Sequence, residues 1–184
     1  MHPATRLDRI VVMGVSGCGK STLAHAIAEH LGWRMVEGDT LHSEANVQKM
    51  THGIALTDAD RQDWLNQLAE VLAHAEGETV VTCSALKKQY RDTLRRAAPA
   101  HVGFVYMALT QEESFSRVKK RRGHMFPASL VANQFETLEN PKDEPDVLTV
   151  DGTDSTQAQL AAVEKWLDAA RPDGASSVGL KRPL

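Results

Sequence analysis

Short apolar runs with β-branched members recur along the chain, separated by longer stretches in which apolar residues return every third or fourth position. Arg9-Ile10-Val11-Val12-Met13 is the first run and predicts a buried strand. Residues 22–31 then follow helical spacing and stop at Gly32. Trp33-Arg34-Met35-Val36-Glu37 predicts a second strand that ends in Gly38-Asp39, and residues 43–52 read as a helix broken by Gly53. Thr57 and Asp60 have capping-box spacing at the start of the next helix. Its apolar stripe is Trp64, Leu65, Leu68, Val71 and Leu72, and that periodicity favours core packing for Trp64. Residues 79–83 predict a third strand, and 86–97 a helix with Tyr90 and Leu94 on its inner face. Residues 102–107 predict a fourth strand, followed by helices over 111–120 and 128–138. Pro141 and Pro145 punctuate a loop before a fifth strand at 147–150, and a helix over 156–169 closes the pattern. From Arg171 onward, Pro, Gly and Ser predict a disordered tail over 171–184.

Strand alternates with helix almost throughout. That pattern predicts an α/β fold, a five-stranded parallel sheet flanked by helices on both faces. A chain of 184 residues suits one domain, placed at 1–170, with a core of ordinary size. The formal net charge of −3 gives no support for nucleic-acid binding. Two cysteines, Cys18 and Cys83, make no disulfide framework and suit a reducing compartment. No apolar stretch approaches membrane-spanning length, and the first nine residues lack a signal-peptide core, so a cytoplasmic location is expected.

The strongest chemical signal is Gly14-Val15-Ser16-Gly17-Cys18-Gly19-Lys20-Ser21, which reads G-x-x-x-x-G-K-S between a predicted strand and a predicted helix. In that setting it is a P-loop. Its backbone N–H groups turn inward and the helix N-terminus adds partial positive charge, so Gly14 to Ser21 are expected to bind ATP phosphates. Lys20 is expected to reach the β- and γ-phosphates, and Ser21 to ligate Mg²⁺. Ligands of parallel sheets gather beyond the carboxyl ends of the strands. Two further ends carry polar chemistry: Glu37-Gly38-Asp39, and Ser84-Ala85-Leu86-Lys87.

P-loop proteins include GTPases, motor ATPases and kinases. The chain has no N-K-x-D for guanine reading and no acid after the third predicted strand, as motor ATPases usually have. Small size, acids after the second strand and a late basic segment match small-molecule and nucleotide kinases instead. The pattern becomes specific at Gly38-Asp39-Thr40-Leu41-His42, Asn46, Lys49-Met50, Gly53, Leu56, Asp58, Asp60-Arg61 and Trp64-Leu65. It continues at Cys83 to Arg91, at Arg122-Gly123-His124, and at Gln134-Phe135-Glu136-Thr137-Leu138-Glu139. In this order and spacing, over roughly residues 9–168, the chain resembles the gluconate kinases (gluconokinases).

The resemblance implies a nucleoside-monophosphate-kinase-like fold with a helical lid at about 111–138. It implies transfer of the ATP γ-phosphoryl to the 6-hydroxyl of D-gluconate, yielding 6-phosphogluconate. Homodimers are common among similar enzymes, although nothing in the residues themselves indicates one. Departures are few: Cys18 where such kinases often have Ser, Met125 where they often have Phe, and a tail after Ala170 without a counterpart. A shikimate-kinase-like enzyme or a non-catalytic nucleotide-binding regulator are the alternatives. The first typically has a Gly-Gly-Gly turn where Cys83-Ser84-Ala85 stands, and intact Lys20, Ser21 and Asp39 argue against the second.

Within this reading Asp39 is expected to orient the 6-hydroxyl and accept its proton, its plain alternative being a helix N-cap. Strand alternation would put Glu37 on the same face, able to hold a water of the Mg²⁺ shell. Arg61 is expected to clamp the gluconate carboxylate with its planar guanidinium, the alternative being a surface pair with Asp58. His42, Ser84, Lys87, Arg91 and His124 are secondary substrate candidates. Arg117 and Arg121 stand four apart, on one helix face, and are expected to close on the phosphates as part of the lid.

Overall fold

The computed structural model describes residues 6–121 and 127–171. The strands are β1 Arg9–Met13, β2 Arg34–Glu37, β3 Thr79–Thr82, β4 Val102–Ala108 and β5 Val147–Asp151. The helices are α1 Lys20–Leu31, α2 Glu44–Thr51, α3 Asp58–Ala73, α4 Lys88–Ala97, α5 Gln111–Lys120, α6 Val131–Thr137 and α7 Thr156–Ala169. All strand pairs are parallel, in the order β2-β3-β1-β4-β5, with Val11 opposite Val81 on one side and Phe104 on the other.

The order puts β1 in the middle, which explains its continuous apolar sequence: a central parallel strand is covered on both faces. Ile10 and Val12 join a core with Leu23 and Ile27 of α1 and Val163 and Leu167 of α7. Val11 and Met13 face the opposite layer, with Leu65, Leu68 and Leu72 of α3 and Leu94 of α4. Strand periodicity thus divides one apolar run between two cores.

The helix ends are set locally. Thr57 Oγ1 accepts from the Asp60 backbone while Asp60 returns a carboxylate bond to Thr57 N–H, completing the expected capping box on α3. Thr110 and Glu113 build a second one on α5. Ser43 caps α2 and Ser155 caps α7.

Three stretches depart from the sequence expectation. Residues 38–41 form a 3₁₀ turn rather than a simple strand exit. The helix expected from residue 86 starts at Lys88, because Ala85 has φ +46° and Lys87 is extended. The helix expected over 128–138 is a 3₁₀ turn, Ala128–Leu130, followed by α6. The tail beyond Arg171 and the expected lid's 122–126 lie outside the described residues.

Candidate active site

A pocket opens beyond the carboxyl ends of β1, β2 and β3. Ser16 and Lys20 of the P-loop form its floor; Asp39, His42, Arg61 and Trp64 form one wall; Asn133 and Gln134 of α6 face them. Ser84 also lines it, with Met50, Ala55, Leu56, Leu86 and Leu130 supplying apolar surface.

The P-loop shape depends on Gly14, whose φ of +145° disfavours any side chain. A Cβ there would stand 2.8 Å from Cys18 Sγ and 2.9 Å from the Met107 carbonyl. Cys18 is itself buried, so its thiol packs into the core instead of facing the pocket. Lys20 Nζ donates to the carbonyls of Gly14 and Val15 at 3.0 and 3.1 Å. Two helices hold the loop from outside. Ser114 Oγ donates to the Ser16 carbonyl at 2.7 Å, and Gln134 Oε1 accepts the Ser16 N–H at 2.7 Å. Arg117 bridges the Gly17 and Gly152 carbonyls, both at 3.0 Å. Its guanidinium therefore braces the loop's backbone and is not part of the pocket wall. Arg121 lies one residue past α5, as its C-cap, with extended ψ of 114°. The chain leaves the helix after this residue, while the Arg121 backbone N–H still donates to the Val118 carbonyl at 3.2 Å.

Asp39 reaches the pocket because of the 3₁₀ turn. Gly38 N–H donates to Thr82 Oγ1 at 3.1 Å, and Trp64 Nε1 donates to the Gly38 carbonyl at 2.8 Å. Only glycine fits, since a Cβ at residue 38 would lie 1.9 Å from the Thr82 carbonyl. The N-cap alternative for Asp39 falls away, because Ser43 caps the helix that follows. The alternation argument for Glu37 also fails: the chain leaves the strand between the two acids. Glu37 Oε2 accepts from Thr82 Oγ1 at 2.8 Å, outside the pocket lining.

His42 stacks on Trp64 with ring centroids 4.0 Å apart and planes inclined by 19°. Burial, aided by the Arg61 charge and opposed by Asp39, lowers its pKa to about 4, so the imidazole is neutral at pH 7. Trp64 is only 3 % exposed. The expected core role is real, yet the same side chain also builds a pocket wall.

Arg61 Nη1 donates to the Tyr90 hydroxyl at 3.1 Å. The surface pair with Asp58 does not form; Asp58 takes Lys87 Nζ at 3.0 Å and the Tyr90 hydroxyl instead. Among the described residues Arg61 has no carboxylate within ion-pair distance. Lys87 is thus committed to Asp58 beside the pocket.

Arg91 departs furthest from expectation. It is 1 % exposed and bonds Glu144 at 2.7 and 3.1 Å, the Ala85 carbonyl at 2.7 Å and the Glu139 carbonyl at 3.0 Å. A buried guanidinium needs such partners, and satisfying them turns Arg91 away from the pocket into the core. His124 lies outside the described residues. Residues missed by sequence reasoning include Asn133, Ala55 and Leu130, while Met50, Leu56 and Leu86 appeared only within the family pattern. Gln134 appeared only within the family pattern. Two adjacent carboxamides on a short helix were the one available signal.

For metal binding, Ser21 in the first turn of α1 and the free oxygen of Glu37 supply hard oxygen donors of the type magnesium takes. Among the described residues no three His, Cys, Asp or Glu side chains cluster as a metal cage.

A P-loop at the centre of a parallel sheet, opening onto a pocket with one acid and one unpaired arginine, defines a P-loop small-molecule kinase. A family model described as an AAA domain matches residues 10–141. The chain is 46 % identical over 147 residues to a gluconokinase of Gluconobacter oxydans (strain 621H), covering 78 % of this chain and 82 % of that protein. It belongs to the gluconokinase family. The thermoresistant gluconokinase of Escherichia coli (strain K12) is 43 % identical over 145 residues, covering 77 % of this chain and 82 % of that one. The crystal structure of a gluconokinase from Sinorhizobium meliloti 1021 superposes with a TM-score of 0.81 at 43 % identity, over 89 % of this chain and 94 % of that one. A shikimate kinase from Bacteroides thetaiotaomicron gives a TM-score of 0.60 at 18 % identity, over 87 % of this chain and 98 % of that one; that likeness concerns the fold alone.

Proposed function

We infer that this protein transfers the γ-phosphoryl of ATP to the 6-hydroxyl of D-gluconate, giving 6-phosphogluconate and ADP. The observation that carries the substrate reading is Arg61, an unpaired guanidinium in the same pocket as Lys20 and Asp39. An acceptor with a carboxylate at one end and a reacting hydroxyl at the other matches that charge pattern.

Phosphoryl transfer asks for positioning and charge neutralisation more than covalent chemistry. The P-loop amides and Lys20 hold the nucleotide phosphates. Asp39 orients the acceptor hydroxyl and takes its proton. Arg61 pairs the carboxylate at the far end through two parallel N–H bonds. His42, neutral on Trp64, offers a hydrogen bond to a middle hydroxyl without adding charge. Ser21 would hold a magnesium ion directly and Glu37 through water, and the ion would supply neutralisation of phosphate charge. Arg121, at the edge of the expected lid, closes on the phosphates, and His124 contacts the acceptor; Arg117 supports the P-loop from behind. We carry a homodimer in the same proposal; sedimentation equilibrium tests it, and a monomer at micromolar concentration refutes it.

Steady-state kinetics with gluconate, glucose and shikimate test the activity. Gluconate is expected to exceed the others by orders of magnitude in kcat/KM, since either rival leaves part of the pocket unmatched. Arg61→Ala is expected mainly to raise the gluconate KM, and Asp39→Asn mainly to lower kcat. Equal turnover of shikimate or glucose would overturn the assignment, and no turnover of any acceptor would favour a nucleotide-binding regulator.

A further inference from the structure

Asp58 and Arg61 stand three residues apart on α3, where opposite charges ordinarily pair directly. Here they do not. Tyr90 of α4, 3 % exposed, reaches between them. Its hydroxyl has a single proton, and the Asp58 carboxylate has none to give, so the phenol donates to Asp58. The lone pairs of the same oxygen then face Arg61, whose Nη1 donates at 3.1 Å. The direction of both bonds follows from proton count alone. The guanidinium carbon also lies 5.5 Å from the centre of the Tyr90 ring, with Lys87 Nζ at 5.7 Å. Lys87 neutralises Asp58 from the other side, at 3.0 and 3.3 Å.

A direct Asp58–Arg61 pair would occupy one edge of the guanidinium and cancel much of its charge toward the pocket. The phenol prevents both effects, because it holds Arg61 through a neutral acceptor. We propose that Tyr90, backed by Asp58, is a positioning residue that aims Arg61 and keeps its charge free, so that this pair sets the preference for an anionic acceptor. The inference rests on the reading of Arg61 as the carboxylate clamp.

The test is kinetics of the full-length Tyr90→Phe protein, which loses only the hydroxyl. The gluconate KM is expected to rise roughly tenfold, because Asp58 then pairs with Arg61 directly and gluconate must displace a hydrogen bond between charged groups. The kcat is expected to stay within about twofold and the ATP KM unchanged. Turnover of D-glucitol, an uncharged hexitol of equal length, should not fall, so selectivity for gluconate over it drops by the same factor. Adding Asp58→Asn should recover much of the lost affinity, because the acid no longer captures Arg61. A Tyr90→Phe protein with parental gluconate KM, beside an Arg61→Ala protein with a raised one, overturns this inference and leaves the clamp intact. A double variant no better than Tyr90→Phe alone assigns the loss to packing and overturns it too. An Arg61→Ala protein with parental gluconate KM overturns the clamp and the inference together.

Discussion

The side-chain carbonyl of Gln134 accepts the backbone N–H of Ser16 at 2.7 Å, joining α6 to the P-loop across 118 residues of sequence. A backbone N–H can only donate, so the carboxamide oxygen must face the loop and its NH₂ must point elsewhere. Ser114 holds the carbonyl of the same residue, so Ser16 is tied on both sides.

Gln134→Ala is therefore expected to weaken nucleotide binding by about 2–10-fold, the worth of one ordinary hydrogen bond in pre-organising the loop. Calorimetric titration with ADP measures it. An unchanged dissociation constant would mean that Ser114 alone keeps Ser16 in place.

Gly38→Ala should impair catalysis from a position that touches no ligand. The added methyl would collide with the Thr82 carbonyl, so the 3₁₀ turn must move off β3, taking Asp39 and the Trp64 bond with it. Overpacking of this kind costs about 1–3 kcal/mol. A displacement near 1 Å at a reacting group costs on the order of a hundredfold in rate. Thermal unfolding with single-turnover kinetics reads both; normal kcat would show that the turn tolerates the shift.

The depressed pKa of His42 makes a pH prediction. Its folded value is about 4 against an ordinary 6.5, so between these the unfolded chain binds more protons. Its contribution to stability is complete above pH 6.5 and is lost as pH falls toward 4. The partly open pocket reduces this to on the order of 1 kcal/mol. His42→Phe keeps an aromatic ring on Trp64 without a titrating group, so its stability should fall less over that range. Urea denaturation at several pH values compares them, and identical slopes would refute the assignment.

Arg91→Leu should cost stability and spare the kinetics. The substitution strands the Ala85 and Glu139 carbonyls and removes one of the two arginines on Glu144, Arg95 being the other. A loss of about 3 kcal/mol is expected, as for other broken buried pairs. The gluconate KM of the folded fraction should match the parent; a KM raised tenfold or more would return Arg91 to the substrate.

The strands, most helix ends and the P-loop were legible in the residues because each is decided locally. A central parallel strand must be apolar throughout, a capping box is closed within four residues, and a phosphate loop is built from its own backbone. The direction of individual side chains was not legible. Arg61 and Arg91 look alike as helix arginines, yet one faces the pocket and the other is buried. The difference is Glu144, 53 residues beyond Arg91, which packing brings to Arg91 and not to Arg61. Trp64 fits the core pattern because it is in the core; nothing in periodicity says that its outer edge is also a wall. Glu37 and Asp39 were expected to share a face, and a 3₁₀ turn set by contact between Gly38 and Thr82 separated them. Local backbone preference acts over a few residues and is written in order along the chain. Which side chain meets which partner is settled by close packing between distant segments, and only the tertiary structure decided it.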